Sequence, residues 1–307
     1  MNVVLVGEES AGIQALRMLA SSGHRTVAVL ASPGRPGASV WNAARAMGLP
    51  IWDAALVKDP TLADALRGEG VDLLLNVHSL FLIHPDVLSA PGLGSYNLHP
   101  GPLPRYAGLN AVSWALARGE TDYGVTVHRM DPGIDTGPIA FQRRFPIGEE
   151  DTALSLYMKC IRDGVELLGA LLASASGGGG AIPATPQILA ERTYVSGGPP
   201  EDGRVRWSRP AREIANLVRA CDYLPFPSPW GHPRAALAGH PVHLIKARRT
   251  GRVANTVPGA IGETAGGSAL VACGDEWLQV DKVMVDERAA PAGEALQAAA
   301  RLDDGTA

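Results

Sequence analysis

The chain has 307 residues, 46% of them apolar and 19% charged, and a net charge of −4. That balance excludes a disordered chain, and without a basic surplus it argues against a general nucleic-acid binder. No apolar run approaches the roughly 20 residues of a membrane-spanning helix.

Residues 3–6 form a short apolar run ending at Gly7 and predict a buried parallel strand. The start lacks the charged stretch and cleavage site of a signal peptide, so a cytoplasmic chain is expected. A helix follows, with Ile13, Leu16 and Leu19 at helical spacing and Gly23 as its stop. Strands are predicted at 26–31, 72–77 and 94–98, and helices at 40–47 and 62–66. Next come a helix over 110–117 with Asn110 in the cap position, strands at 124–130 and 138–145, and a long amphipathic helix over 152–172. Alternation at this spacing predicts an α/β fold with a doubly wound, mainly parallel sheet. Ligands of such sheets bind beyond the carboxyl ends of the strands, where Asn97 and His99 stand.

Composition then changes. Ser174-Ala175-Ser176, glycines 177–180, Pro183 and Pro186 read as a flexible link. A helix over 211–220 and short strands at 242–247, 269–273 and 277–280 predict a smaller β-rich, barrel-like domain. The Ala-rich stretch after Asp286 reads as one short helix at 294–301 or as disordered. The expected organisation is a catalytic domain at 1–175, a linker at 176–198, a C-terminal domain at 199–285 and a tail at 286–307.

Most local motifs exclude functions. Residues 7–12, Gly7-Glu8-Glu9-Ser10-Ala11-Gly12, match neither GxGxxG nor a Walker loop and read as a structural turn. Cys160, Cys221 and Cys273 form no CxxC or Cys/His spacing and read as buried thiols. His78, His84, His128, His232, His240 and His243 lack metal-type partners, and no GxSxG elbow is present. The Asn97/His99 pair is different. Two residues apart on an extended segment, the side chains point the same way, so an amide and an imidazole reach one carbonyl oxygen together. Pro100, Pro102 and Pro104 stiffen the loop that follows. Residues 131–137, Asp131-Pro132-Gly133-Ile134-Asp135-Thr136-Gly137, form a fixed loop between two strands. Asp135 is placed to orient His99, with Asp131 the weaker candidate. An amide, an imidazole and a carboxylate suit acyl transfer to an amine.

In Asn97-x-His99-Pro100-x-x-Leu103-Pro104-Arg105-Tyr106-x-Gly108 and Asp131-x-Gly133-x-Asp135-Thr136-Gly137, the chain resembles the folate-dependent formyltransferase superfamily. Residues 1–175 carry most of the likeness. Thr193-Tyr194, Asp202-Gly203-x-Val205-x-Trp207 and Leu217-Val218-Arg219-Ala220 resemble the C-terminal domain of longer members. The resemblance implies 10-formyltetrahydrofolate as formyl donor. It places the pterin against Leu80, Phe81, Leu82 and Ile83, with Leu88 nearby and Ile134 closing the pocket. Residues 80–83 stay apolar where a loop turns polar, which fits a ligand wall and also fits a core. Asn97 and His99, the latter as imidazolium, are expected to hold the oxyanion, and Asp135 to support that charge and help take the amine proton.

Methionyl-tRNA formyltransferases of this family carry a Lys/Arg-rich insert. Residues 31–49 here contain only Arg35 and Arg45 and no lysine, which argues against a tRNA acceptor. Arg204, Arg206, Arg209, Arg212 and Arg219 are left as a possible compensation. Residues 106–114 and 221–231 are instead similar to formylating enzymes of nonribosomal peptide and specialised metabolism. The expectation is an N-formyltransferase acting on a small or carrier-bound amine, such as an amino acid, a carrier-bound amino acid or an amino sugar. Methionyl-tRNA is the alternative acceptor, and hydrolysis of the donor the alternative reaction. The acceptor and the oligomeric state stay open.

Overall fold

Parallel strands covered on both faces need near-continuous apolar runs, and residues 3–6, 27–31 and 73–75 supply them to the first sheet. The computed structural model describes residues 1–33, 39–79, 81–177, 181–296 and 301–305. The chain divides into two compact units. The first comprises Met1–Gly108, Asp122–Phe145 and Met158–Tyr194, and the second Leu109–Thr121, Pro146–Tyr157 and Val195–Ala307.

In chain order the elements are β1 (Asn2–Gly7), α1 (Glu9–Ser21), β2 (Arg25–Ala31), α2 (Val40–Ala46), β3 (Ile51–Asp53), α3 (Leu62–Gly68), β4 (Leu73–Val77), α4 (Pro85–Ser89), β5 (Gly94–His99) and β6 (Ala107–Gly108). They continue with α5 (Ala111–Ala117), β7 (Asp122–Arg129), β8 (Ile139–Pro146) and α6 (Ala153–Ser176). The first unit's sheet has the order β3-β2-β1-β4-β5-β7-β8. The pairs β1–β2, β2–β3, β1–β4 and β4–β5 are parallel, and β5–β7 is antiparallel. The expected doubly wound, mainly parallel sheet is therefore present. Strand order reverses between β1 and β4, and β4 and β5 point their carboxyl ends at the 76–99 region.

The turn at residues 7–12 is structural. Glu8 Oε1 accepts from the Ser32 amide at 2.7 Å. A Cβ on Gly12 would meet Val40 Cγ2 at 2.7 Å, so glycine lets α1 approach α2 closely. Two expectations change. Asn110 sits at the start of α5 in a left-handed conformation, φ 56°, and makes no capping bond. Its side chain instead donates to the Gly197 carbonyl at 3.2 Å. Helix α6 runs on through Ser174-Ala175-Ser176, and residues 178–180 lie outside the described residues.

The remaining elements are β9 (Tyr194–Val195), α7 (Ala211–Ala220), β10 (Arg234–Leu237), β11 (His240–Val253), β12 (Ile261–Ala265), β13 (Ser268–Ala272), β14 (Glu276–Val285), β15 (Arg288–Pro291), α8 (Ala292–Ala295) and β16 (Leu302–Asp304). The second unit's sheet has the order β12-β13-β14-β11-β10-β16, with β15 on β14, and its pairs are antiparallel. Register shifts along β11 curl it, as β-bulges do. Trp207, Ile214, Leu244, Leu278, Val280 and Leu302 belong to its buried core. The stretch after Asp286 thus holds two strands. Its helix is confined to α8, and residues 297–300 of the expected helix lie outside the described residues.

Candidate active site

Register places the first three groups. Asn76 on β4 lies beside Asn97 on β5, and Asn97 lies beside His128 on β7. Residues directly opposite share a face, so three polar side chains form one row across three strands. Asn76 Nδ2 donates to Asn97 Oδ1 at 2.9 Å. Asn97 Nδ2 faces His128 Nε2 at 3.2 Å. His128 Nδ1 lies 3.0 Å from the Arg129 carbonyl, an acceptor, so that nitrogen donates there. The chain of bonds fixes the Asn97 amide with its NH2 toward Asp135 Oδ1, 3.4 Å away.

His99 ends β5 on the same face as Asn97. Its Nε2 donates to the Tyr106 carbonyl at 2.7 Å, which leaves Nδ1 with the lone pair. Nδ1 lies 3.4 Å from Asp135 Oδ2. The ring packs so tightly that a Cβ on Gly101 would stand 2.6 Å from Nε2.

Asp135 reaches the row from the loop between β7 and β8. Its Oδ2 accepts from the Gly108 amide at 2.9 Å, and Oδ1 lies 3.3 Å from His128 Nε2. Asp135 has φ 54°, and Tyr106 and His78 are left-handed too, at φ 60° and 58°. Non-glycine residues held there mark strained backbone, which clusters at working sites. Asp131 braces the loop, since its Oδ1 accepts from the Gly133 amide at 3.1 Å and the Thr136 hydroxyl at 2.6 Å.

The electrostatics follow from burial and contact. Burial raises the Asp135 carboxyl, but His99, His128 and the Gly108 amide outweigh it and hold the group well below the usual carboxylate range. Burial pushes the His99 imidazole down, against the upward pull of Asp135 and of the Tyr106 carbonyl. The sequence-based expectation brings Asn97 and His99 together on one open point, with His99 charged. The structure brings both onto Asp135, with His99 Nδ1 turned to Oδ2, Nε2 turned to the Tyr106 carbonyl, and the Asn97 amide turned to Oδ1.

The apolar residues expected around a pterin divide. Leu82 is 73% exposed and Ile134 44% exposed. Phe81 is half-buried under Lys58 Nζ, 4.7 Å from its ring centre. Ile83 and Leu88 pack into a hydrophobic core with Val57, Leu66 and Val87. Leu80 lies outside the described residues.

Asn76, His128 and Gln187 escaped the sequence reading. Asn76 interrupts the apolar run Leu73-Leu74-Leu75, and His128 follows the buried stretch 123–127 of its strand. Both signals are one polar residue on a buried face. Gln187 gives no such signal. Among the described residues no cluster of three or more His, Cys, Asp or Glu is placed to hold a metal ion.

Residues 2–171 match the formyl transferase family, and residues 199–299 match the formyl transferase C-terminal domain. The chain belongs to the formyl transferase family. A methionyl-tRNA formyltransferase of Anaeromyxobacter dehalogenans is 35% identical to this formyltransferase over 246 residues, covering 79% of this chain and 76% of the relative. The N-formyltransferase of Helicobacter canadensis, solved with folinic acid and dTDP-3-aminofucose, shares the fold. It is 18% identical with a TM-score of 0.66, covering 91% of this chain and 97% of that one. Glycinamide ribonucleotide transformylase 1 of Symbiobacterium toebii is 26% identical with a TM-score of 0.51, covering 60% of this chain and 94% of that one.

Proposed function

We propose that this formyltransferase moves a formyl group from 10-formyltetrahydrofolate to the amine of a small or carrier-bound substrate. The observation that carries the reading is the Asp135 carboxylate, set between the Asn97 amide and the His99 imidazole in a nearly closed polar site. Relatives solved with folinic acid or tetrahydrofolate support the donor. So do the exposed Leu82 and Ile134 and the half-buried Phe81, which fit the flat apolar face of a pterin. Ile83 and Leu88 back that wall from the core.

Bound, the donor supplies a formyl carbon on a nitrogen leaving group. The Asn97 Nδ2 hydrogen that rests toward Asp135 Oδ1 turns to the formyl oxygen as it gains negative charge, and Asn76 holds the amide so that NH2 faces the site. The proton of the attacking amine goes to Asp135 or to His99 Nδ1 and is returned to the nitrogen leaving group as its bond to the formyl carbon breaks. A proton on Nδ1 then lies against Asp135 Oδ2, which stabilises the imidazolium.

The cations of the second unit bear on the acceptor. Arg206 and Arg209 both pair with Glu201, and Arg249 pairs with Glu276 at 2.6 Å. Arg219 spends its guanidinium on the carbonyls of Gly148 and Glu149, at 3.0 and 3.3 Å. Cations committed in this way contribute little to gripping a phosphate backbone. A second reading, methionyl-tRNA as acceptor, is favoured by the relative at 35% identity. The three cysteines are free and buried, which suits a reducing compartment, and the cytoplasm is the proposed location. No described helix is long and apolar enough to cross a membrane.

The test is a mass-spectrometric acceptor screen with 10-formyltetrahydrofolate across amino acids, carrier-loaded amino acids, nucleotide amino sugars and methionyl-tRNA. A gain of one formyl group on a small or carrier-bound amine is expected. Preferred formylation of methionyl-tRNA would install the second reading.

A further inference from the structure

The segment that reads from sequence as a linker is bonded to both loops of the site. Gln187 Nε2 donates to the carbonyls of Asp135 at 3.0 Å and Gly137 at 2.6 Å. Arg192 Nη2 donates to the Ile134 carbonyl at 2.9 Å. Three of the four carbonyls from residue 134 to 137 are therefore held by side chains of residues 187–192. On the other loop, the Tyr106 amide donates to Thr193 Oγ1 at 2.8 Å, and the Ala107 amide to the Thr193 carbonyl at 2.9 Å. Thr185 and Ile139 exchange two backbone bonds at 2.8 and 2.9 Å, which fixes where the segment starts.

What the segment holds is strained. Asp135 is left-handed at φ 54°, a conformation that persists in a non-glycine residue only when its surroundings over-determine it. The Asp135 carboxylate has its own partners, but they fix the tip of the side chain and leave the peptide planes to Gln187 and Arg192. Gln187 Oε1 is buried without a hydrogen-bond partner, so the residue acts through its NH2 alone.

We propose that Gln187, assisted by Arg192, is a positioning residue for Asp135: its side-chain amide sets the backbone that aims the carboxylate at His99 and Asn97. The inference rests on the formyl-transfer reading for its kinetic consequence and on geometry alone for the rest. The groups that face His99 are Asp135, His128, His78 and the Tyr106 carbonyl. Of these, Asp135 contributes most toward keeping the imidazole protonatable. If Gln187 lets go, the carboxylate withdraws and His99 titrates at lower pH.

The test compares wild type with Gln187→Met, which keeps length and loses the donor, and with Gln187→Asn, which keeps the donor and loses reach. The His99 ring is titrated by NMR in the full chain without substrate, beside thermal unfolding and steady-state kinetics. Both variants should move the His99 titration to lower pH. They should lower kcat roughly 10- to 100-fold, the scale of a misplaced catalytic group, with the acceptor KM little changed. An unmoved His99 titration in folded variants, or a loss confined to thermal stability, would overturn the proposal. Failure of formyl transfer itself shows in the wild type as absent turnover and leaves the titration readable.

Discussion

Asp135 has two carboxylate oxygens and four neighbours: the Gly108 amide, His99, His128 and Asn97. Removing any of the Asn97, His99 or Asp135 side chains takes away a contact the reaction needs. Asn97→Ala, His99→Ala and Asp135→Ala should each lose about two orders of magnitude in rate, roughly 3 kcal/mol of transition-state stabilisation. Single-turnover assays on variants with native circular dichroism check this. Acid tolerance follows from the same burial. His99 is harder to protonate folded than unfolded, so stability falls as pH drops below about 6.5, its unfolded value, toward the folded one. Asp135 is depressed as well. Its contribution is complete above about 4 and is lost only as pH falls through its folded value. Between pH 7.5 and 5.5, His99→Asn should therefore flatten the fall in urea midpoint expected for the wild type, while Asp135→Asn, which removes the main upward pull on His99, should steepen it.

At the scale of elements, glycines separate close approach from mere flexibility. A Cβ on Gly137 would run into the Arg129 carbonyl, so Gly137→Ala must displace backbone beside Asp135 and should cost about 1–3 kcal/mol. Gly169 on α6 has nothing within 4 Å of such a Cβ. Gly169→Ala should stabilise the chain by about 0.5–1 kcal/mol through helix propensity. Denaturant titration of the two variants gives the comparison, and a gain at both positions would contradict the packing described. Elements of this kind were largely legible beforehand. Helix α7 matches its sequence-based limits, and the inner strands follow apolar runs that carry their own period. The Asn97/His99 pair was legible because a period of two makes neighbours of alternate residues. Asn76 and His128 were not, because register between strands is a tertiary property with no local spacing. Gln187 was hidden further, in a Pro-containing stretch whose bonds run to loops some 50 residues earlier in the chain. The three-residue β3 and five-residue α4 lack enough residues to show a period.

For the whole molecule, the decisive quantities are charge and the fate of the formyl group. A net charge of −4, with arginines of the second unit paired to Glu201, Glu213, Glu276 and Asp281, leaves weak attraction for a polyanion. Turnover of the preferred acceptor should accordingly fall little between about 50 and 200 mM salt, where a tRNA grip through many phosphates would lose several orders of magnitude. The most direct measurement follows an isotopically labelled formyl carbon of 10-formyltetrahydrofolate in wild type and in Asp135→Asn, with the preferred amine present. The label should appear as N-formyl product in the wild type and slow by about two orders of magnitude in the variant. Label released as formate at the same rate with or without amine, or an Asp135→Asn enzyme as fast as wild type, would contradict the account.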